Sequence, residues 1–312
     1  MENYPRTLMD FESRFSSEDA CAEYLVTLRW PEGFVCPACA GRKAWRTGRL
    51  LFHCAECGHQ SSVIAGTVFQ GTRKPLQMWF RAMWWITNQK NGTSAAGLQQ
   101  LLGLGSYQTA WSWLHKLRRA MVRPGRDRLL GVVEVDETYI GGPESTPGRG
   151  AESKTLVVIA VEREGRRMGR TRMAIVDDAS STQLCGFIET VVEPGSTIRS
   201  DGWQGYRDVI HRGYKHDRVI QKQNPKSPSE LLPGVHLIAS LVKRWLLGTH
   251  QGAVSVEHLK YYLDEFTFRF NRRKSKSRGK LFGRLVEQAV AIEPTSYKDL
   301  ITKKNHPLYL LE

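Results

Sequence analysis

The chain has 312 residues, of which 45 are Lys or Arg against 31 Asp or Glu, giving a formal net charge of +14. Hydrophobic residues make up 41% and charged residues 24%, a balance that supports packed cores and excludes wholesale disorder. No apolar run approaches the ~20 residues of a membrane helix. Residues 1–15 lack the apolar stretch of a secretory signal, so a cytoplasmic location is expected. The length suits two or three domains. The basic excess points to a polyanionic partner, with nucleic acid as the first candidate.

In chain order, 16–29 reads as a helix capped by Ser16, with Ala20, Tyr24, Leu25 and Leu28 as its apolar stripe. Residues 30–33 stop it. Two C-x-x-C pairs follow, Cys36 with Cys39 and Cys54 with Cys57. Each turn can aim two thiolates at one ion, and two turns complete the tetrahedron that zinc accepts. Gly58 suits a positive φ after the second turn. Residues 44–54 predict a strand pair turning about Gly48. Four thiolates leave no open coordination position, so the zinc is expected to be structural. Two disulfides are the alternative, which a reducing compartment disfavours. Cys21 and Cys185 stand alone and read as small buried apolar residues.

Residues 70–75 read as a linker. An apolar helix with Trp79, Trp84 and Trp85 is predicted over 76–88. After Asn91 and Gly92, a short helix is predicted over 95–102, a tight turn at Gly103-Leu104-Gly105, and a longer helix over 107–122 capped by Ser106. Helix, glycine turn, helix is a helix-turn-helix pattern. The second helix places Ala110, Trp111, Leu114 and Leu117 toward the core. Its polar face carries Thr109 and His115 with five candidate DNA contacts. Gln108 and Ser112 are expected at base edges, and Lys116, Arg118 and Arg119 at phosphates. An ordinary αα-hairpin with a solvated face is the alternative.

Residues 123–126 mark a boundary, and the pattern then changes. Strands are predicted over 132–140, 155–162 and 170–176, a helix over 182–192, a strand over 197–200 and a weak strand over 218–221. Helices are predicted over 237–247 and 256–271. A mobile loop is expected over 141–153. This order suggests a mixed sheet with helices packed on it. Side chains alternate along a strand, so Glu134 and Asp136 project the same way from an apolar segment. Buried carboxylates are costly unless paired or metal-bound; an edge strand with a wet face is the alternative. Asp201 falls at the carboxyl end of a strand, directly before Gly202, where α/β sheets place ligand-binding groups. Carboxylates on neighbouring strands can hold divalent ions. Two such ions would clamp the attacking and leaving oxygens of a phosphodiester. Asp177 and Asp178 read as a turn and helix start.

Taken together, these motifs resemble a family. The zinc ribbon, the helix-turn-helix, VEVDETYIGG at 133–142, SDGWQGY at 200–206, KRWLLGTHQG at 243–252 and YLDEFTFRFNRR at 262–273 are similar to bacterial insertion-sequence transposases with a ribonuclease H-like DDE core. The resemblance covers about residues 20–290. It implies DNA cleavage at transposon ends and strand transfer into a target, with Asp136 and Asp201 as catalytic metal ligands. Relatives with an intact triad carry a Glu seven residues before the helical Lys, here Lys243. The residue at that place is His236, two helical turns away on the same face. An imidazole can also bind a divalent ion. Glu230, in a proline-punctuated segment over 225–233, and Glu257, at the start of the next helix, are the nearest acidic substitutes. Lys243 is expected to contact phosphate near the cut. The run RFNRRKSKSRGK at 269–280 holds seven cationic side chains. Arg272, Arg273 and Lys274 in it are expected to track phosphates; a solvated face is the usual reading of such a run.

The expectation is thus a multidomain α/β protein. An N-terminal helix and zinc ribbon occupy 1–70, a helix-turn-helix DNA-binding domain 71–125, a ribonuclease H-like catalytic domain with a mixed sheet flanked by helices 126–292, and a tail 293–312. One structural Zn²⁺ is expected, with two catalytic Mg²⁺ or Mn²⁺ ions on Asp136, Asp201 and His236. The expected partners are transposon-end and target DNA, with a homo-oligomer forming on the DNA, and no membrane. Two alternatives stand beside this. A zinc-ribbon regulator without catalysis would not need Asp136 and Asp201, and a ribonuclease H-like nuclease would cut without joining.

Overall fold

A computed structural model of the chain describes residues 4–47, 51–123, 125–141, 154–165, 167–220, 225–252 and 254–302. The turn at Gly48, residues 142–153 of the expected loop, Gln221 and residues 303–312 of the expected tail lie outside the described residues. The chain forms two compact units, Met1–Arg123 with Lys274–Thr302, and Pro124–Arg273 with Lys303–Glu312.

The first unit opens with α1 (Leu8–Arg14) and α2 (Glu18–Arg29), each capped by a hydroxyl, Thr7 and Ser17. A three-stranded antiparallel ribbon follows, β1 (Ala44–Thr47), β2 (Leu51–Cys54) and β3 (Gln60–Ser62). Next come α3 (Leu76–Asn88), α4 (Ala95–Leu102) and α5 (Tyr107–Ala120). Pro75 gives α3 no side-chain cap, and Glu18 serves instead, accepting from the backbone N–H of Leu76 at 2.8 Å and of Gln77 at 3.3 Å. A carboxylate there also favours the positive end of the helix dipole. Gly103 closes α4 in the left-handed conformation, φ +60°.

Two late helices, α10 (Arg278–Ala291) and α11 (Tyr297–Ile301), complete this unit. Phe282 of α10 enters an aromatic cluster with Phe11, Phe15, Phe80 and Trp84, at ring separations of 5.4–5.8 Å. That packing explains why 274–302 groups with the start of the chain, although the sequence division placed everything to residue 292 in the catalytic domain. The cluster joins residues some 270 positions apart, which no local pattern announces.

The second unit is built on a five-stranded sheet. Its strands are β4 (Val132–Ile140), β5 (Thr155–Glu164), β6 (Arg167–Ile175), β7 (Thr197–Ser200) and β8 (Lys215–Arg218). Their order is β6-β5-β4-β7-β8. β4, β5 and β6 form an antiparallel meander, while β7 pairs parallel to β4 and β8 parallel to β7. This is the strand order of a ribonuclease H-like core. β8 begins at Lys215, ahead of the predicted position.

Helix α6 (Ser181–Val191) and a 3-10 segment (Gln204–Arg212) cover one face of the sheet, around Val133, Val135, Leu184, Ile188 and Tyr206. α8 (Pro233–His250) and α9 (Val256–Asn271) cover the other, around Val157, Ile159, Val161, Ile238, Val242 and Phe266. β5 is buried along Thr155–Val161 because both its faces are covered, so it reads as a continuous apolar run. A short α7 (Pro228–Leu231) precedes α8. Asn271 ties the end of α9 to β6, accepting from the Thr171 N–H at 2.8 Å and donating to its carbonyl at 3.1 Å.

Candidate active site and metal centres

In the ribbon, the sulfurs of Cys36, Cys39, Cys54 and Cys57 all lie within 4.8 Å of one another. The contacts Cys36–Cys57 and Cys39–Cys54 are 3.6 Å. A disulfide needs about 2.05 Å, so the thiols are free and gathered as zinc ligands. Gly58 has φ +74°, as its place after the second turn predicts. At the first turn Ala40, not Gly41, takes the positive φ. A Cβ at Gly41 would stand 2.6 Å from the carboxyl group of Glu56, the far end of an exposed side chain.

The acidic site forms where β4 and β7 run side by side. Their parallel register pairs Val132 with Thr197, Val133 with Ile198 and Glu134 with Arg199. Two residues further, the same register brings Asp136 level with Asp201, which directly follows β7. Burial raises the Asp136 carboxyl to about 7, and the charges of Glu137 and Asp201 push in the same direction. Asp201 is anchored by an Asx turn, its Oδ1 accepting from the Trp203 N–H at 2.9 Å. His236, on the first turns of α8, brings Nε2 to 3.7 Å from Asp136 Oδ2. Burial lowers the His236 pKa, opposed by Glu134 and reinforced by Lys243. Among the described residues only the four thiolates form a ligand set within 4.8 Å; Asp136, Asp201 and His236 are not drawn together that tightly.

Glu134 shares the face of Asp136 but has another task. It is 2% exposed, and Arg163 Nε lies 3.1 Å from its Oε1. Its Oε2 accepts from the N–H groups of Gly234 at 2.6 Å and Val235 at 3.2 Å. A Cβ at position 234 would stand 2.7 Å from that oxygen, so glycine is required there. Glu134 therefore caps α8 and sets where His236 stands against β4.

Glu137 was not singled out from the sequence. It projects to the opposite face from Asp136, where Tyr206 donates to its Oε2 at 2.6 Å. Burial raises its pKa, against the pull of the Tyr206 bond and with that of Asp201. The period-two pattern held the signal, a carboxylate continuing the buried face of Val133 and Val135.

Glu230 is engaged in a local cap. Its Oε2 accepts from the Ser227 N–H at 2.8 Å and the Ser227 hydroxyl at 2.7 Å, forming a capping box. Glu257 lies in the first turn of α9. Asp178 accepts from the Ser180 N–H at 2.8 Å, the turn role expected of it. Lys243 is exposed on α8, seven residues beyond His236.

The expected DNA-contacting face of α5 is only partly available. Gln108 is exposed and Lys116 and Arg119 are half-buried, but Ser112 and Arg118 are buried, Arg118 at 1% exposure. Trp113 stacks on Trp79 of α3 at 3.8 Å, and Trp111 meets Tyr297 of α11 edge-on at 6.2 Å. With α4, α10 and α11 also packed against α5, its polar stripe is largely enclosed. The basic run is also partly engaged. The Arg272 guanidinium lies over the Phe268 ring at 4.0 Å. Arg273 lies over Phe270 at 3.8 Å and donates to the carbonyls of Met168 and Gly169. Lys274 is exposed.

Two segments of the chain match known protein domains. Residues 16–60 match a transposase zinc-ribbon domain, and residues 128–271 match an ISXO2-like transposase domain. An uncharacterized protein in transposable element ISH50 of Halobacterium salinarum is 28% identical over 281 residues, 82% of this chain and 91% of that protein. The catalytic core domain of BIV integrase gives a TM-score of 0.32 at 16% identity, over 47% of this chain and 88% of that one. The simian T-cell lymphotropic virus intasome, in complex with PP2A regulatory subunit B56 gamma, gives 0.31 at 14% identity, over 61% and 72%. The two domain matches together span more than half of the chain. The chain thus carries, in order, a transposase-type zinc ribbon and a transposase-type domain, the two parts that the sequence resemblance implies. Within the transposase class, residues 128–271 are similar to the ISXO2-like transposase domain. Among the described residues no helix is long and apolar enough to cross a membrane.

Proposed function

We propose that the chain binds the ends of its insertion sequence, cleaves there to free 3′-hydroxyls and joins them to target DNA. The observation that carries this reading is the register of β4 and β7, which sets Asp136 beside Asp201 with His236 next to Asp136. The donor set suits a hard divalent ion. Two carboxylates and an imidazole face one region; burial raises Asp136, the charges of Glu137 and Asp201 add to it, and a cation would offset that crowded charge. When bound, Mg²⁺ or Mn²⁺ supplies Lewis-acid stabilisation of the phosphodiester and a more acidic water.

The remaining work belongs to the chain. Asp136, Asp201 and His236 would hold the ions. Glu134 sets the start of α8, and through it His236. Lys243, one face with His236, holds a phosphate oxygen beside the cut. Gln108, with the half-buried Lys116 and Arg119, would meet end DNA, and Lys274 would extend the cationic surface. The two ends of an element must be brought together for joining, so the working form on DNA is a homo-oligomer.

The test is incubation with DNA carrying the element's termini and flanking sequence, with Mg²⁺. Nicked ends bearing 3′-hydroxyls, followed by joined products, are expected. Binding without cleavage would favour the regulator, and cleavage without joining the nuclease.

A further inference from the structure

An open cleft of ≈ 520 Å³ lies beside the loop that carries Asp201, within the second unit. Asp178, Ser181, Trp203, Gln204, Arg207 and Asp208 contribute to its walls. Trp203 is its distinctive element. The side chain is 43% exposed, yet it is held firmly. Its indole N–H donates to the Ala179 carbonyl at 2.8 Å, and its backbone N–H to Asp201 Oδ1 at 2.9 Å. Gly205 leaves room for it, since a Cβ there would meet Ala179 O at 2.6 Å and the indole nitrogen at 2.8 Å. A large apolar ring is thus fixed in solvent contact, next to a carboxylate proposed for catalysis.

The walls select among possible occupants. Asp178 and Asp208 disfavour a phosphate. Their remaining lone pairs, the Gln204 amide and the Arg207 guanidinium offer acceptors and donors to the edge of a heterocycle. The indole offers a stacking surface.

We propose that this cleft receives one unpaired nucleobase of the bound DNA, from the nucleotide adjoining the scissile phosphate, stacked on Trp203. The inference rests on the transposase reading and names a substrate contact within it. Withdrawing a base from the duplex costs unstacking and pairing energy, and stacking on Trp203 offsets that cost. Because Trp203 and Asp201 share one turn, seating the base also sets the strand against the acidic pair.

The experiment compares cleavage rates on fully paired ends and on ends mismatched beside the scissile phosphate. Trp203→Ala should cleave paired ends about ten-fold more slowly than the unaltered protein. It should recover most of that loss on mismatched ends, where the base is already unpaired. Trp203→Phe should stay near the unaltered rate, and Gly205→Ala, which displaces the indole, should follow Trp203→Ala. Equal losses on paired and mismatched ends, or a Trp203→Phe as slow as Trp203→Ala, would show a merely structural role and overturn the proposal. So would full activity of Trp203→Ala on paired ends. If the unaltered protein cleaves neither substrate, the transposase reading itself fails, which is a separate outcome.

Discussion

At the scale of single residues, carboxylates close together in sequence have been given different work by their surroundings. Glu134 is paired with Arg163 and caps α8, Asp136 faces His236, and Glu137 holds Tyr206 from the other face of the sheet. The departure at the third ligand position has a direct test. With Mn²⁺ in excess, His236→Ala should lose most cleavage, whereas Glu230→Gln should be nearly silent, because Glu230 is occupied by Ser227. His236→Glu should retain measurable activity. An active His236→Ala beside an inactive Glu230→Gln would transfer the role to Glu230. The imidazole should also make the enzyme favour Mn²⁺ over Mg²⁺.

Glu162 gives a pH prediction of known sign. Burial would raise its carboxyl pKa, but the Arg170 side chain, together with the N–H groups of Arg170 and Leu130, brings it below the ordinary value. Its stabilisation is therefore complete above the unfolded pKa of about 4.3 and is lost as pH falls through the lower folded value. Denaturant midpoints followed from pH 6 to pH 3 should fall more steeply in the unaltered protein than in Glu162→Gln. Parallel curves would remove Glu162 from the account.

At the scale of elements, the ribbon and α5 make opposite predictions about what holds them. The ribbon is small, and structural zinc in such modules contributes roughly 10 kcal/mol or more of folding energy. One zinc per chain is expected. A strong chelator should melt β1–β3 while the circular dichroism of the core persists; metal analysis finding no zinc with free thiols would contradict this. In α5, reversal of a surface charge would be mild. Arg118 is buried, so Arg118→Glu should lower stability by roughly 3 kcal/mol or more, read by thermal unfolding, before any effect on DNA affinity. A stable Arg118→Glu with weakened DNA binding would restore the groove-facing reading of that helix.

Legibility in the sequence followed the range of the interactions. α3, α4, β4, β7 and α9 stand where their periodicity and caps place them, because local pattern decides them. The cysteine spacing alone was enough to specify the ribbon. Asp136 within β4 and Asp201 after β7 were each legible as candidate acids, and only register brings them level. The enclosure of α5 was not legible, since two of the helices packed against it, α10 and α11, come more than 150 residues later. Likewise the bond from Glu134 to Gly234 spans 100 residues.

At the scale of the whole molecule, the chain joins a zinc ribbon, a helical region completed by its own C-terminal helices, and a ribonuclease H-like sheet carrying an acidic site. The central claim is that this site performs metal-dependent DNA cleavage. The most direct measurement is Mg²⁺-dependent cleavage of terminal DNA by Asp136→Asn beside the unaltered protein, with folding and DNA affinity measured on the same samples. The amide keeps the shape of the side chain but loses the charge that holds a cation. The account predicts intact folding, intact binding and no detectable cleavage or joining. Cleavage by Asp136→Asn at the unaltered rate would contradict it.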